Sequence, residues 1–185
     1  MTGTDVPRET EERERERMKI GIYYGSTTGN TKNAANALAD TLTSVGDVVL
    51  HEVGSDGIAG MAECDLILLG TSTWGIGEIQ DDWIAHQDLR GVDLSGKSVA
   101  VFGTGDQNGF GDSFVDAIGI LAASAEKAGA RLIGAWPTDG YEHSASAAIR
   151  DGRFVGLALD EDNQPAQTPA RIAQWVAQLK TELGL

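Results

Sequence analysis

Hydroxyl and glycine residues are concentrated in residues 25–31, directly after the apolar run of residues 18–24. Such a turn, between a strand and a helix, offers backbone N–H groups and hydroxyl donors to an anion. The loop contains no lysine or arginine, and Gly29 is followed by Asn30 rather than by the lysine of a P-loop. The loop therefore suits a terminal phosphate monoester better than a triphosphate with magnesium. The alternative is that its hydroxyls only cap the helix.

Two further loops each place one large aromatic residue beside glycines. Residues 71–78 contain Trp74, and residues 103–110 end in Phe110. Taken singly, either aromatic is more typical of a core or sheet-edge position. Together, on loops near the phosphate loop, they favour a planar ligand between two rings, each stack adding roughly 0.5–1.5 kcal/mol beyond area burial. A flat ring with a phosphate tail matches FMN.

The hydrophobic pattern predicts the elements that bring these loops together. Short apolar runs alternate with segments of helical periodicity, which is typical of an α/β fold with a parallel sheet covered on both faces. In such sheets ligands bind at the carboxyl ends of the strands, and all three loops lie there. The predicted strands are residues 20–24, 48–53, 66–69, 99–102 and 132–136.

Helix ends and one long connection can also be predicted. The first helix is expected to stop at Gly46, and the last to begin with Thr168 as N-cap and Pro169 at its first position. The stretch of about residues 137–165 is too long for an ordinary connection, so it is predicted to be an insertion. Its apolar run, residues 154–159, predicts one extra strand at the sheet edge.

Composition limits the class of protein. The chain of 185 residues suits one domain, and its net charge of −14 argues against binding nucleic acid or an anionic membrane. There is no apolar run of the ~20 residues that span a bilayer and no secretory signal. The single cysteine, Cys64, indicates a reducing compartment, so a cytoplasmic location is expected. Residues 1–17, rich in Glu and Arg, are predicted to be a disordered or loosely helical tail before a domain of residues 18–185.

No side chains suggest catalysis by the protein alone. There is no nucleophile–base pair in the sequence, and the three histidines lack the spacing of metal ligands. Redox chemistry would therefore belong to a bound cofactor that the protein tunes.

From about residue 18 to its C-terminus the chain resembles the long-chain flavodoxins. This resemblance implies a flavodoxin-like, doubly wound, five-stranded parallel sheet of order 2-1-3-4-5, with the long-chain insertion in the last strand region. The motifs that carry it are residues 26–31, of the Thr-x-Thr-Gly-x-Thr type with Ser26 first; Thr73-Trp74 with Gly77-Glu78; Gly105-Asp106-Gln107; and Trp136-Pro137 with Asp139-Gly140-Tyr141.

The resemblance also implies which residues contact FMN. Trp74 would cover one face of the flavin ring and Phe110 the other, and Asp162 would reach the ribityl hydroxyls. The phosphate ligands would be Ser26, Thr27, Thr28, Gly29, Asn30 and Thr31. The ring would be lined by Thr73, Gly75 and Gly77, and its pyrimidine edge contacted by Thr104, Gly105 and Asp106.

Two positions depart from the family pattern. Phe110 stands where tyrosine is usual, which keeps the stacking but removes a phenol hydroxyl. Gly75 stands where this branch often has asparagine, at a turn whose peptide rotates its carbonyl towards the ring on one-electron reduction. Glycine adopts the required positive φ at little cost. Gly75 is therefore expected to widen the gap between the two reduction potentials.

The function implied is that of a low-potential one-electron carrier with non-covalently bound FMN, not an enzyme. Acidic residues near the ligand loops would make the second electron strongly reducing. They would also attract a basic-surfaced redox protein, such as a ferredoxin/flavodoxin–NADP reductase, to a monomeric carrier. The alternative is an NAD(P)H-dependent FMN or quinone reductase on the same fold, which needs room for a second planar substrate where both ring faces are expected to be covered. The acids are Asp81, Asp82, Asp106 and Asp112.

Overall fold

A parallel sheet forms the centre of the structure, a computed structural model that describes residues 17–185. The predicted tail lies outside the described residues except for Arg17, whose guanidinium pairs with Asp47 at 2.8 Å. The first five strands are β1 (Met18–Tyr24), β2 (Gly46–Glu52), β3 (Leu66–Trp74), β4 (Glu78–Ile79) and β5 (Ser98–Thr104). Four of them are parallel and follow the order β2-β1-β3-β5, and β4 pairs antiparallel with the end of β3.

Two short strands share the fifth position of the sheet. The chain forms β6 (Arg131–Ile133), then a small antiparallel sheet of β7 (Trp136–Pro137), β8 (Ile149–Arg150) and β9 (Arg153–Phe154), and then β10 (Leu157–Leu159). β6 pairs with residues 98–100 of β5, and β10 pairs with residues 102–104. The predicted order 2-1-3-4-5 is therefore confirmed, with an insertion that divides the last strand.

The strands around this insertion differ from the prediction. Residues 132–136 do not form one strand, because the chain turns at Gly134 (φ 85°). Residues 154–159 are not a single extra strand either, because β9 belongs to the small sheet while β10 completes the main one. Gly156 lies between them and passes so close to β5 that a Cβ atom would be 1.9 Å from the Val101 carbonyl oxygen.

The longer helices are α1 (Asn30–Leu42), α3 (Asp116–Lys127) and α4 (Thr168–Leu183), and α2 (Val53–Asp56) is a single turn. α1 packs against α4, while α3 lies against β3 and β5. Two predicted ends are wrong. α1 ends at Leu42, and Gly46 is the first residue of β2 rather than the end of the helix. Thr168 is the first residue of α4 rather than its N-cap, because its hydroxyl donates to Glu161.

Both faces of the sheet are covered. Residues 66–71 of β3 are buried without a break. Because successive side chains of a strand point to opposite faces, this burial requires cover on each side. Within residues 17–185, no helix combines the length and the apolar character needed to cross a bilayer.

Candidate cofactor-binding site

The three predicted loops meet around one cavity of about 340 Å³ at the carboxyl ends of β1, β3, β5 and β10. This is the edge at which parallel α/β sheets bind ligands. Ser72 also lines the cavity and was not predicted. The predicted residues that line it are Thr28, Asn30, Thr73, Trp74, Gly75, Thr104, Gly105, Asp106, Phe110 and Asp162; those that do not are Ser26, Thr27, Gly29, Thr31 and Gly77.

The first loop leaves several backbone N–H groups free. Gly29 has a φ of 97° and precedes α1 without a side-chain cap, and Ser26 Oγ accepts from the N–H groups of Gly29 (3.2 Å) and Lys32 (3.3 Å). Within residues 17–185, five further N–H groups of this turn form no hydrogen bond to a protein acceptor. An anion is the ligand that such a set of donors at a helix N-terminus fits. The five belong to Ser26, Thr27, Thr28, Asn30 and Thr31.

The cavity has no positive side chain among its lining residues. Lys32 follows the loop directly, but its Nζ lies 3.5 Å from Glu52. A phosphate in this loop would therefore be held by neutral donors and by the helix N-terminus. This arrangement fits a phosphate monoester.

Two hydroxyl groups of the first loop bond to neighbouring segments. Thr31 Oγ1 lies 3.0 Å from Thr104 Oγ1, and both side chains are buried. Thr27 Oγ1 accepts from Nε2 of the buried Gln80 at 3.2 Å. These contacts fix the first loop against the third loop and against the segment after β4, so Gln80 is a site-supporting residue that sequence reasoning missed.

Two large aromatic side chains stand exposed at the cavity. Trp74 is 41% exposed and Phe110 is 50% exposed, although both line it. Trp74 Nε1 donates to Ser72 Oγ at 2.7 Å, which fixes the orientation of the indole. Exposed aromatic surface that lines a concave site is typical of a ligand-binding surface. A planar ring fits this surface.

The turn that follows Trp74 needs glycine. Gly75 and Gly77 have φ values of 51° and 106°. A Cβ atom on Gly75 would lie 2.2 Å from Glu78 Oε2, and one on Gly77 would lie 2.7 Å from Asp116 Oδ2. Thr73, just before this turn, accepts from the N–H of Ala117 at 3.1 Å and so caps α3. Its hydroxyl is therefore engaged by the protein.

Gly75→Asn is expected to narrow the gap between the two one-electron midpoint potentials. A side chain at residue 75, where φ is 51°, is strained and displaces Glu78. The peptide at this position should therefore rotate its carbonyl less readily towards a bound flavin ring. A penalty of about 0.5–1 kcal/mol in the one-electron state lowers one potential and raises the other, a narrowing of roughly 40–90 mV. Gly75→Ala is the control and should give most of the change, since the backbone is its cause. An unchanged gap in stepwise reductive titrations would refute this.

The third loop is organised by one of its own carboxylates. Asp106 Oδ1 accepts from the N–H groups of Gly109 (2.7 Å) and Asn108 (3.1 Å) and from Asn163 Nδ2 (2.8 Å). The Gly109 and Asn163 bonds are the main reason that the pKa of Asp106 lies below its usual range. Asp162, which also lines the cavity, has a raised pKa because of desolvation and the nearby charges of Asp106 and Asp160.

Asp162→Asn is expected to stabilise the apoprotein at pH 7. The folded pKa of Asp162 is raised, so its ionisation opposes folding above that pKa and has no effect at acid pH, where it is protonated in both states. Because Asp162 is exposed, the rise in Tm should be small, roughly 1–3 °C. Thermal unfolding at pH 7 and pH 3 measures it. Asp112→Asn, an exposed residue of the neighbouring loop, is the control; equal shifts for both variants would contradict the explanation.

The fold and this edge define the class: an α/β protein with a doubly wound sheet and a site for a phosphorylated planar ring. A family model described as flavodoxin matches residues 22–175. A flavodoxin of a Picosynechococcus species is 48% identical over 168 residues, covering 90% of this chain and 99% of that protein. A Nostoc flavodoxin is 48% identical over 169 residues, covering 90% and 98%.

A solved structure agrees with these relatives. The crystal structure of Fusobacterium nucleatum flavodoxin bound to flavin mononucleotide has a TM-score of 0.84 and 34% identity. The match covers 89% of this chain and 98% of that one. The chain belongs to the flavodoxin family.

Proposed function

We propose that this flavodoxin carries electrons singly on a non-covalently bound FMN and has no organic substrate of its own. The observation that carries the proposal is the cavity between three loops. Free N–H groups line one end, two exposed aromatic side chains form its walls, and no positive side chain lines it. The Fusobacterium relative is bound to flavin mononucleotide, which supports the same ligand here.

Different residues of the cavity would contact different parts of FMN. The N–H groups of Thr28 and Asn30 would bind the phosphate at the cavity end of the first loop. Trp74 would cover one ring face and Phe110 the other, with Asp106 at the pyrimidine edge of the ring and Asp162 near the ribityl hydroxyls. When bound, FMN supplies one-electron and two-electron redox chemistry. The protein's part is to hold the ring, exclude water from its faces and set the charge around it.

Charge around the cavity favours a low potential. The carboxylates Asp106 and Asp162 line it and no lysine or arginine does. A carboxylate ~10 Å from an added negative charge, at an effective dielectric of ~20, opposes that charge by about 1.7 kcal/mol, or about 70 mV per electron before screening. A fully reduced ring tends to be an anion, so the second electron should be strongly reducing.

A basic-surfaced redox protein is the proposed partner, of the kind that a ferredoxin/flavodoxin–NADP reductase represents. The net charge of −14 would attract such a partner, and the carboxylates Asp106 and Asp162 would direct it to the cavity rim. The resulting association would be fast, weak and salt-sensitive. We place this exchange between a monomeric carrier and its partners in the cytoplasm, because a single cysteine, Cys64, is typical of a protein from a reducing compartment.

Spectroscopy and rapid mixing test the proposal. The purified protein should be yellow, or become so with FMN, and mixing with NADPH alone should leave the flavin oxidised. Adding a flavodoxin–NADP reductase should then reduce it. Colourless protein that binds no added FMN would refute the binding of the cofactor. Rapid bleaching by NADPH alone would instead favour a reductase.

A further inference from the structure

One carboxylate outside the predicted site joins two of its loops. Asp160 follows β10 directly and is fully buried. Within residues 17–185, it forms no ion pair with lysine or arginine. A buried charge is unfavourable unless hydrogen bonds compensate for it. The hydrogen-bond donors around Asp160 therefore indicate its role.

All of these partners are neutral amides. Oδ2 of Asp160 accepts from the backbone N–H of Gln107 at 3.1 Å and from its Nε2 at 2.7 Å. Oδ1 accepts from the N–H groups of Asp162 (3.1 Å) and Asn163 (3.0 Å). Asn163 Nδ2 adds a further bond at 2.9 Å to Oδ2. One carboxylate therefore joins the third loop to the turn after β10.

The same network reaches the cavity. Asn163 Nδ2 also lies 2.8 Å from Asp106 Oδ1, and Asn163 Oδ1 accepts from Asn108 Nδ2 at 2.8 Å. Asp162, whose N–H donates to Asp160, lines the cavity together with Asp106. Asp160 is thus one hydrogen bond from Asp162 and two, through Asn163, from Asp106, the two residues of this cavity wall.

We propose that Asp160 is a positioning residue that sets this wall by fastening the third loop to residues 160–163. It is buried away from the ligand surface and acts through Gln107, Asp162 and Asn163. The role needs an acceptor-only group with two oxygens, because every partner is a donor. Asparagine has one acceptor oxygen and would direct its own NH₂ at other donors. The inference rests on the proposed binding of FMN.

Flavin titrations of the apoprotein test the role. Asp160→Asn should weaken the binding of FMN and of riboflavin by the same factor, about tenfold or more, since several charge-assisted bonds that hold the wall are lost and the phosphate loop is intact. Glu161→Gln is the matched control, with the same charge change one residue away, and should stay within twofold. Affinities of Asp160→Asn within twofold of wild type would overturn the proposal, as would a loss confined to FMN.

The midpoint potentials show whether Asp160 acts as a buried charge. For a charge about 10 Å from an anionic ring, its removal in Asp160→Asn should raise the affinity for two-electron-reduced FMN, relative to oxidised FMN, about tenfold. Unchanged potentials would contradict the inference, because the bonds that hold the wall would then not be those of a charged carboxylate.

A second variant decides the matter if Asp160→Asn does not fold. Asn163→Ala removes the hydrogen bonds to Asp106 and Asn108 without changing the charge. It should therefore weaken the binding of FMN and of riboflavin by the same factor and leave the midpoint potentials unchanged. Affinities within twofold of wild type would overturn the proposal. Wild-type protein is titrated in the same series: if it binds neither flavin, the proposed function fails, whereas a wild type that binds both isolates the role of Asp160.

Discussion

Riboflavin is expected to bind the apoprotein about a thousandfold more weakly than FMN. The two ligands share the ring and the ribityl chain, so the difference reports on the phosphate alone. The first loop offers it N–H groups that have no acceptor among the described residues. Two or three charge-assisted bonds of about 1.5–3 kcal/mol each are enough for this ratio. Quenching of flavin fluorescence during titration of the apoprotein measures both dissociation constants.

Ser26→Ala is the matched variant for this comparison. Ser26 Oγ holds the N–H groups of Gly29 and Lys32, so alanine loosens the loop without altering the aromatic walls. Affinity for FMN should fall severalfold and affinity for riboflavin should stay within twofold. Similar affinities of the wild type for the two ligands would show that the loop only caps α1, which is the alternative that the sequence leaves open.

The main sheet and the position of its ligand edge are predictable from sequence because their signals are local. A strand buried on both faces appears as a continuous apolar run, as residues 66–69 do. The glycine- and hydroxyl-rich loops follow such runs directly. The rule that parallel sheets bind ligands at their carboxyl edge then places these loops together, and the structure brings Thr28, Trp74 and Phe110 to one cavity.

The divided fifth strand could not be predicted because its signal is not local. Residues 132–136 are apolar whether or not they form one strand. What ends β6 is a turn at Gly134, whose carbonyl accepts from Trp175 Nε1 at 2.8 Å, 41 residues away. The entry of β10 beside the end of β5 depends in the same way on the close approach of Gly156 to Val101. Contacts of this kind appear only with the tertiary structure.

The hydrogen-bond partners of polar side chains are harder still to predict. In the sequence Thr168 precedes Pro169 as an N-cap would, but it is the first residue of α4 and its hydroxyl donates to Glu161. Thr73 was expected to line the ring, and it does border the cavity while its hydroxyl caps α3. Asp160 bonds to Gln107 across 53 residues. No spacing marks such a pair in a single sequence, so the residues that hold the site emerge only from the structure.

Trp74→Ala is expected to weaken FMN binding about a hundredfold. The indole is 41% exposed beside the cavity and fixed by Ser72, so a ring stacked on it loses water from a large apolar face without reordering the side chain. About 60–100 Å² of buried apolar area at ~25 cal/mol/Å² plus roughly 0.5–1.5 kcal/mol of stacking gives that factor. Trp74→Phe should recover most of the affinity, because it keeps a planar surface and loses only the bond to Ser72.

Ile76→Ala provides the control within the same turn. Ile76 is 85% exposed and does not line the cavity, so its truncation should change the dissociation constant for FMN by less than threefold. In Trp74→Ala the affinity for riboflavin should fall by the same factor as the affinity for FMN, because the indole contacts the ring and not the phosphate. If Trp74→Ala stayed within threefold of wild type, the indole would be a surface aromatic without a ligand, and the second face of the cavity would have to be assigned elsewhere.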